Sequence, residues 1–393
     1  MGKISKEMER DVVRILQDMV SIPTVVPPGE NYREFVEYVD EILKNLGMKT
    51  QIISVPKKEL KTHIPDMASY PRYILLAKMG KGRPILHFNG HYDVVPAGEG
   101  WKFDAFKGFV KNGVVYGRGT SDMKGGIASI IAALMAIGES NMEMKGTLEL
   151  SLTPDEEIGG MCGVRYMLGM VEKPDWAVVA EPSDCSNVWV GHKGAIWGEI
   201  KVMGRAAHAS TPELGVNAVE ECVRIAGRLM ELGQKVKERK TRYECSVKNA
   251  TLTITKIKGG IKVNVVPDSA VLNFDRRILP EESMGDAKDE IESVVGDADF
   301  NIMFSVAPCI NDKSELASQI ASIAGREGIS VRKAISSGFM DTRFFIEAGV
   351  DTIAFGPGKI SLAHTPNEYV VVEDILTAGK IFASLISNLL GRD

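Results

Sequence analysis

Cysteine is too sparse here to frame a fold. The five residues (Cys162, Cys185, Cys222, Cys245, Cys309) are odd in number, scattered and without C-x-x-C spacing. They read as reduced thiols, and a cytoplasmic location is expected. No apolar run reaches the roughly 18 residues that a membrane span needs, so no membrane partner is expected. The amino-terminal MGKISKEMERDVVRIL is a charged amphipathic helix pattern without the apolar stretch of a secretion signal. No basic block with interleaved aromatics occurs, and the formal net charge is −5, which argues against a nucleic-acid partner. Glutamine is confined to Gln17, Gln51, Gln234 and Gln319. That scarcity suits a heat-adapted protein, but the 18 methionines run the other way. What remains is an ordinary globular composition, 44% hydrophobic and 25% charged over 393 residues. That is enough chain for two or three domains.

Apolar spacing predicts helices over 7–20 and 32–46, either side of a proline-rich loop at 21–30, with Gly47 as a C-cap. Strands are expected at 49–55, 73–78, 85–88, 148–152 and 176–179, with a helix over 127–137. The stretch 57–72 is polar, proline-punctuated and long enough to serve a site. This alternation means α/β layers, helices on both faces of a mixed sheet. After 191–194 the pattern changes. Strands at 195–202, 250–257, 261–266, 270–278 and 299–306 interleave with helices at 213–237 and 281–295. That order is close to β-α-β-β-α-β with one strand more. It reads as an inserted α+β domain, 193–311, within a discontinuous α/β domain, 1–192 and 312–393.

Three of the buried strands in the first domain end in charged residues, which a plain core does not need. The carboxyl ends of such strands are where α/β proteins bind ligands. His91, Asp122, Glu157, Glu181 and His364 stand at strand ends or in loops. Two imidazoles and three carboxylates suit zinc or a similar first-row ion, whereas calcium or magnesium would want oxygen alone. Five ligands are too many for one open site. They fit two ions about 3.5–4 Å apart that share one carboxylate and one water. Two divalent ions balance three carboxylates and a hydroxide, which makes a buried cluster tolerable. Glu156 adjoins Glu157, so one can ligate while the other moves a proton from water to a leaving nitrogen. Asp93, two residues past His91, is placed to help fix the histidine tautomer.

The motifs GHYDVVP, GRGTSDMKGG, TPDEEIGG, AEPSD, GRAAHAS, SSGFMDTR and AHTPNEY occur in this order over nearly the full length. Together they resemble the M20 family of dinuclear zinc amidohydrolases and peptidases. The resemblance implies one zinc on His91, Asp122 and Glu181, and a second on Asp122, Glu157 and His364, with Co2+ or Mn2+ as substitutes. It implies Glu156 as general base, Asp93 as the partner of His91 and a cis peptide at Asp122–Met123. The inserted domain then resembles a lid and dimerisation domain, and the protein is expected to be a homodimer. His208 matches a histidine that reaches the neighbouring subunit's site and stabilises the oxyanion. Asn264 and Arg277 match residues that grip a substrate carboxylate, and Gly338 a backbone carboxylate-binding loop, although Phe339 and Met340 are bulkier than in many relatives. His192 and Lys193 read as hinge residues. His63 and His87 lack motif support, and His87 reads as a core histidine. The implied activity is hydrolysis of the amide of an N-acyl amino acid, of the acetylornithine or succinyl-diaminopimelate type. A dipeptidase or carboxypeptidase is the alternative, and a non-catalytic metal-binding scaffold the reading of a different class.

Overall fold

The computed structural model describes residues 5–140 and 142–392. Met1–Ile4, counted above with the amino-terminal helix, lie outside the described residues. The chain divides into two compact units. One comprises Met1–Val190, Asn311–Lys333 and Met340–Asp393, the other Gly191–Ile310 and Ala334–Phe339.

The first unit is built on a mixed sheet ordered Lys49–Ser54, Tyr73–Lys81, Gly146–Thr153, Ile85–His91, Trp176–Val179, Asp351–Ala354 and Asn187–His192. Ile85–His91 runs parallel to both of its neighbours, and all seven of its residues are buried. That burial on both sides follows from helices on both faces. Phe88 packs edge-on to Phe382 of the helix Val372–Leu390, with ring centroids 5.0 Å apart. Its neighbour His87 points the other way, 5.4 Å from Phe345 of the helix Thr342–Glu347. Gly125–Ser140 packs against Val372–Leu390 so closely that a Cβ on Gly379 would lie 2.9 Å from the Ala132 side chain. One segment, Thr120–Ser140, is long and apolar enough to cross a membrane by mean hydropathy, where the sequence reading found no such run. Its apolar window is 78% buried within the protein, as a core helix is.

The second unit is a four-stranded antiparallel sheet in the order Thr251–Gly259, Ser269–Ile278, Gly194–Met203, Asp299–Val306. Helices Ala218–Lys237 and Met284–Val295 share its apolar core with Ile200, Leu272 and Phe274. Ser269–Ile278 alternates half-buried and buried residues throughout, because only one face is covered by helices. The chain order is β-α-β-β-α-β. The strand expected at 261–266 is corrected: only Val265–Val266 pairs, with Ala207–His208. Ile261 and Val263 are fully exposed instead. The helix expected from 213 starts at Ala218, because Pro212–Leu214 forms a separate turn and the Asn217 side chain caps the amides of Val219 and Glu220.

Candidate dinuclear metal centre

His91 ends its strand with the imidazole buried. Its Nδ1 lies 3.1 Å from the Asp93 backbone carbonyl, so a neutral, metal-binding ring carries its proton on Nδ1 and offers Nε2 to the ion. The Asp93 carboxylate, with Oδ1 3.6 Å from the same nitrogen, has a second role. Its two oxygens accept the amides of Glu156 (3.3 Å) and Glu157 (3.1 Å) and so fix the turn that carries both glutamates. Asp122 stands in the kinked turn before Gly125–Ser140, and its peptide bond to Met123 is cis, as expected. One Asp122 oxygen lies 3.1 Å from His91 Nε2, and the other 3.6 Å from His364 Nε2. Glu157 Oε2 is 2.8 Å from His364 Nε2. Glu181 follows the strand Trp176–Val179, and its Oε1 lies 3.9 Å from His91 Nε2.

Two groups therefore converge, His91 with Asp122 and Glu181, and Asp122 with Glu157 and His364. In each, the donor atoms lie within 4.8 Å of one another. The donor set fits two divalent first-row ions, with Asp122 between them. Glu181 Oε1 is buried without a hydrogen-bond partner among the described residues, as a ligand atom awaiting a cation would be. Electrostatics agree. Burial and mutual repulsion push Glu156, Glu157 and Glu181 above the usual carboxylate range. In Asp122, burial is outweighed by His91 and His364, which hold it below that range. Burial opposes a charged His91, but Asp122, Asp93 and Glu181 carry it well above the usual imidazole value. The Glu157 hydrogen bond does the same for His364.

Four supporting groups were missed in the sequence. The buried Glu368 accepts the amides of Ser121 (2.8 Å) and Asp122 (3.1 Å) and pairs with Arg118 at 2.7 Å. Lys124 donates to the carbonyls of Met19 (2.8 Å) and Ile22 (2.9 Å), tying the metal-binding turn to the end of the helix Lys6–Ser21. Burial pushes its ammonium down to about 7. Arg72, at the end of the undecided stretch 57–72, grips both oxygens of Asp155 at 2.8 and 2.9 Å. Asp155 has a left-handed backbone (φ 68°) directly before Glu156, so this buried pair sets the glutamate turn. Asp341 is taken up below. Glu368, Arg118 and Lys124 lie inside motifs already quoted, which was the available signal. His87 is a satisfied core histidine, between Glu149 (3.1 Å) and Ser151 (2.7 Å). Cys162, Cys185, Cys222 and Cys245 are free thiols.

The remaining residues singled out above belong to the second unit. His208 and Asn264 are exposed neighbours on the short ladder of Ala207–His208 with Val265–Val266, and Asn264 O accepts the Ala209 amide at 3.0 Å. His208 Nδ1 accepts the Ser210 amide at 3.1 Å, which places the neutral ring's proton on Nε2. Arg277 spends Nε and Nη2 on Asp275, at 2.9 and 3.0 Å. Arg276 is fully buried and pairs with Glu282. The Gly338 amide already donates to Ser336 Oγ at 3.1 Å, so a carboxylate there would have to displace it.

The sequence pattern of peptidase family M20/M25/M40 matches residues 87–388. The chain belongs to that family. A succinyl-diaminopimelate desuccinylase of Helicobacter hepaticus is 30% identical over 391 residues, covering 95% of this chain and 96% of that protein. The crystal structure of a Staphylococcus aureus tripeptidase superposes with a TM-score of 0.78 at 21% identity, over 97% of this chain and 98% of that one. A Bacillus subtilis dinuclear metal-binding peptidase of the M20 family superposes with a TM-score of 0.71 at 18% identity, over 98% of this chain and 99% of that one. As an M20 family member the protein is a metal-dependent hydrolase of linear amides or peptides, and its fold is the mixed α/β type of those structures.

Proposed function

We propose that this protein is a dizinc deacylase of an N-acyl amino acid, with an acyl diamino acid of the acetylornithine or succinyl-diaminopimelate type as its first substrate class. The observation that carries the reading is Asp122, whose two oxygens face two different histidines beside Glu156. Two zinc ions held by His91, Asp122, Glu157, Glu181 and His364 would supply Lewis acidity and lower the pKa of a bound water. Glu156, raised by burial, takes the proton of the attacking water and returns it to the leaving nitrogen. Asp93 and the Arg72–Asp155 pair hold the turn from which Glu156 works. His208, with its proton on Nε2, donates to the oxyanion. Arg277, with Asp275 fixing one edge of its guanidinium, turns its Nη1 edge to the substrate carboxylate, and Asn264 and Gly338 belong to the same recognition surface. Products are a carboxylic acid and an amine. The homodimer, the cytosolic location and the division at 193 and 311 are part of the proposal.

A second reading, a di- or carboxypeptidase, is favoured by one feature. Trp197, Phe304 and Phe339 cluster beside Asp275, with ring centroids 4.7 Å apart for Trp197 and Phe304 and 5.2 Å for Phe304 and Phe339. Trp197 Nε1 donates to Asp275 at 2.9 Å. Such an apolar platform beside Arg277 suits a peptide side chain.

The test is turnover by zinc-reconstituted protein of N-acetylornithine, N-succinyl-diaminopimelate, acetyl-methionine and several dipeptides, each with a Glu156→Gln control. Amine release from an acyl amino acid, lost in the control, is expected. Turnover of dipeptides alone moves the protein to the second reading. Two bound metals with no turnover of any substrate overturn both.

A further inference from the structure

Asp341 is a buried acid that the described residues leave without a hydrogen bond. It is 1% exposed, and neither carboxylate oxygen has a hydrogen-bond partner among the described residues. It stands at the start of the helix Thr342–Glu347, yet its side chain caps no amide there. Its Oδ1 is pressed against the turn that follows Glu157. A Cβ on Gly160 would lie 2.3 Å from that oxygen, and Gly160 has φ 64°, so both space and backbone demand glycine. Arg343 is the opposite charge that acts most strongly on it, and it donates Nη2 to the Gly159 carbonyl at 2.7 Å, holding the same turn. The Asp341 charge acts on Glu156 and Glu181, and His91 acts on Asp341 in turn. The carboxylate is therefore near enough to feel His91, Glu156 and Glu181, and it belongs to neither ligand group.

A buried, unbonded carboxylate is costly, and it persists where something else compensates it. While the shared water is not yet ionised, two divalent ions carry one positive charge more than the three ligand carboxylates. We infer that Asp341 is a positioning residue of the metal centre: an outer carboxylate, touching no ion, whose charge completes the neutralisation of the metal pair and strengthens its retention. This inference rests on the dinuclear reading of the site. It also makes a statement that a structural role for Asp341 would not. The carboxylate destabilises the protein without metal and strengthens it with metal.

The experiment compares wild type with Asp341→Asn, which keeps the shape and removes the charge. Zinc affinity is measured by competition with a chelating indicator, and thermal melting is recorded on chelator-stripped protein. The expected result is a zinc affinity about 10–100-fold weaker, the usual effect of losing a group behind the ligands, together with a metal-free melting temperature equal to or above that of wild type. Asp341→Ser, smaller and also uncharged, is expected to weaken zinc to a similar degree, which separates charge from packing. Unchanged zinc affinity in both variants overturns the inference while leaving the metal centre intact. A lower metal-free melting temperature in Asp341→Asn also overturns it, because Asp341 would then be holding its helix or Arg343. Failure of wild type to bind zinc overturns the dinuclear reading itself, and this inference with it.

Discussion

The strands Ile85–His91 and Ser269–Ile278 are of similar length, and they bury their residues by opposite rules. Ser269–Ile278 alternates because helices cover one face of its sheet, and its polar residues other than Arg276 sit at the half-buried positions. Ile85–His91 is buried at every position and still carries His87, Asn89 and His91. His87, the Asn89 amide nitrogen and His91 each have a bonded partner, down to the metal-binding end where charges converge. The difference teaches where chemistry can be kept. A one-sided sheet sorts most polar from apolar groups by position, and here only Arg276 needs a buried partner, Glu282. A two-sided sheet must answer each buried polar group with a partner, and the groups at its end face the ligand site.

The largest expected effect falls on that charged end. Glu156→Gln should lower turnover by about 10²–10⁴-fold with zinc still bound, read by steady-state kinetics and metal analysis. Retained turnover would remove Glu156 from the role given to it. Next comes the buried pair that sets its turn. Arg72→Met leaves Asp155 buried and unpaired, at an expected cost of about 3–5 kcal/mol in denaturant unfolding. In the second unit, Phe274→Ala should cost a similar 3–5 kcal/mol through a cavity, since Phe274 is core and Gly198 leaves room only for its ring. The comparison is sharpened by zinc affinity, which Arg72→Met should weaken and Phe274→Ala should leave alone.

A smaller effect is expected of pH. His91 and His364 are both raised by their carboxylate partners. Without metal, the stability they contribute is fully present below the unfolded imidazole value, near 6.5, and is lost as pH rises through the higher folded values. Metal must displace the same protons, so zinc affinity should fall by at least about tenfold from pH 8 to pH 6, with proton release visible in buffers of different ionisation heat. An affinity that does not change would mean that these histidines are not ligands. The smallest effect belongs to the exposed face of the helix Ala218–Lys237. Glu221→Ala removes pairs with Arg224 and Arg228 and should cost under about 1 kcal/mol by thermal melting.

Much of the site was legible in the sequence because ligand types stand out. His91, Asp122, Glu157, Glu181 and His364 lie at strand ends or in loops, where a core needs no charge. The order of elements in the second unit was legible for a similar reason, since the periods of helix and strand differ. The stretch 261–266 misled because apolar alternation there has no strand to pair with beyond Val265–Val266.

What only the tertiary structure decided is the set of groups behind the ligands. Arg72 meets Asp155 across 83 positions, Lys124 meets Ile22 and Met19 across 102 and 105, and Glu368 meets the Ser121 and Asp122 amides across 247 and 246. Asp341 is told apart from a surface acid only by its burial against Gly160. Sequence by itself determined the donor atoms, because metal chemistry restricts residue type. It left the supporting shell open, because a buried charge is recognised by its partner, and the partner is chosen by the fold.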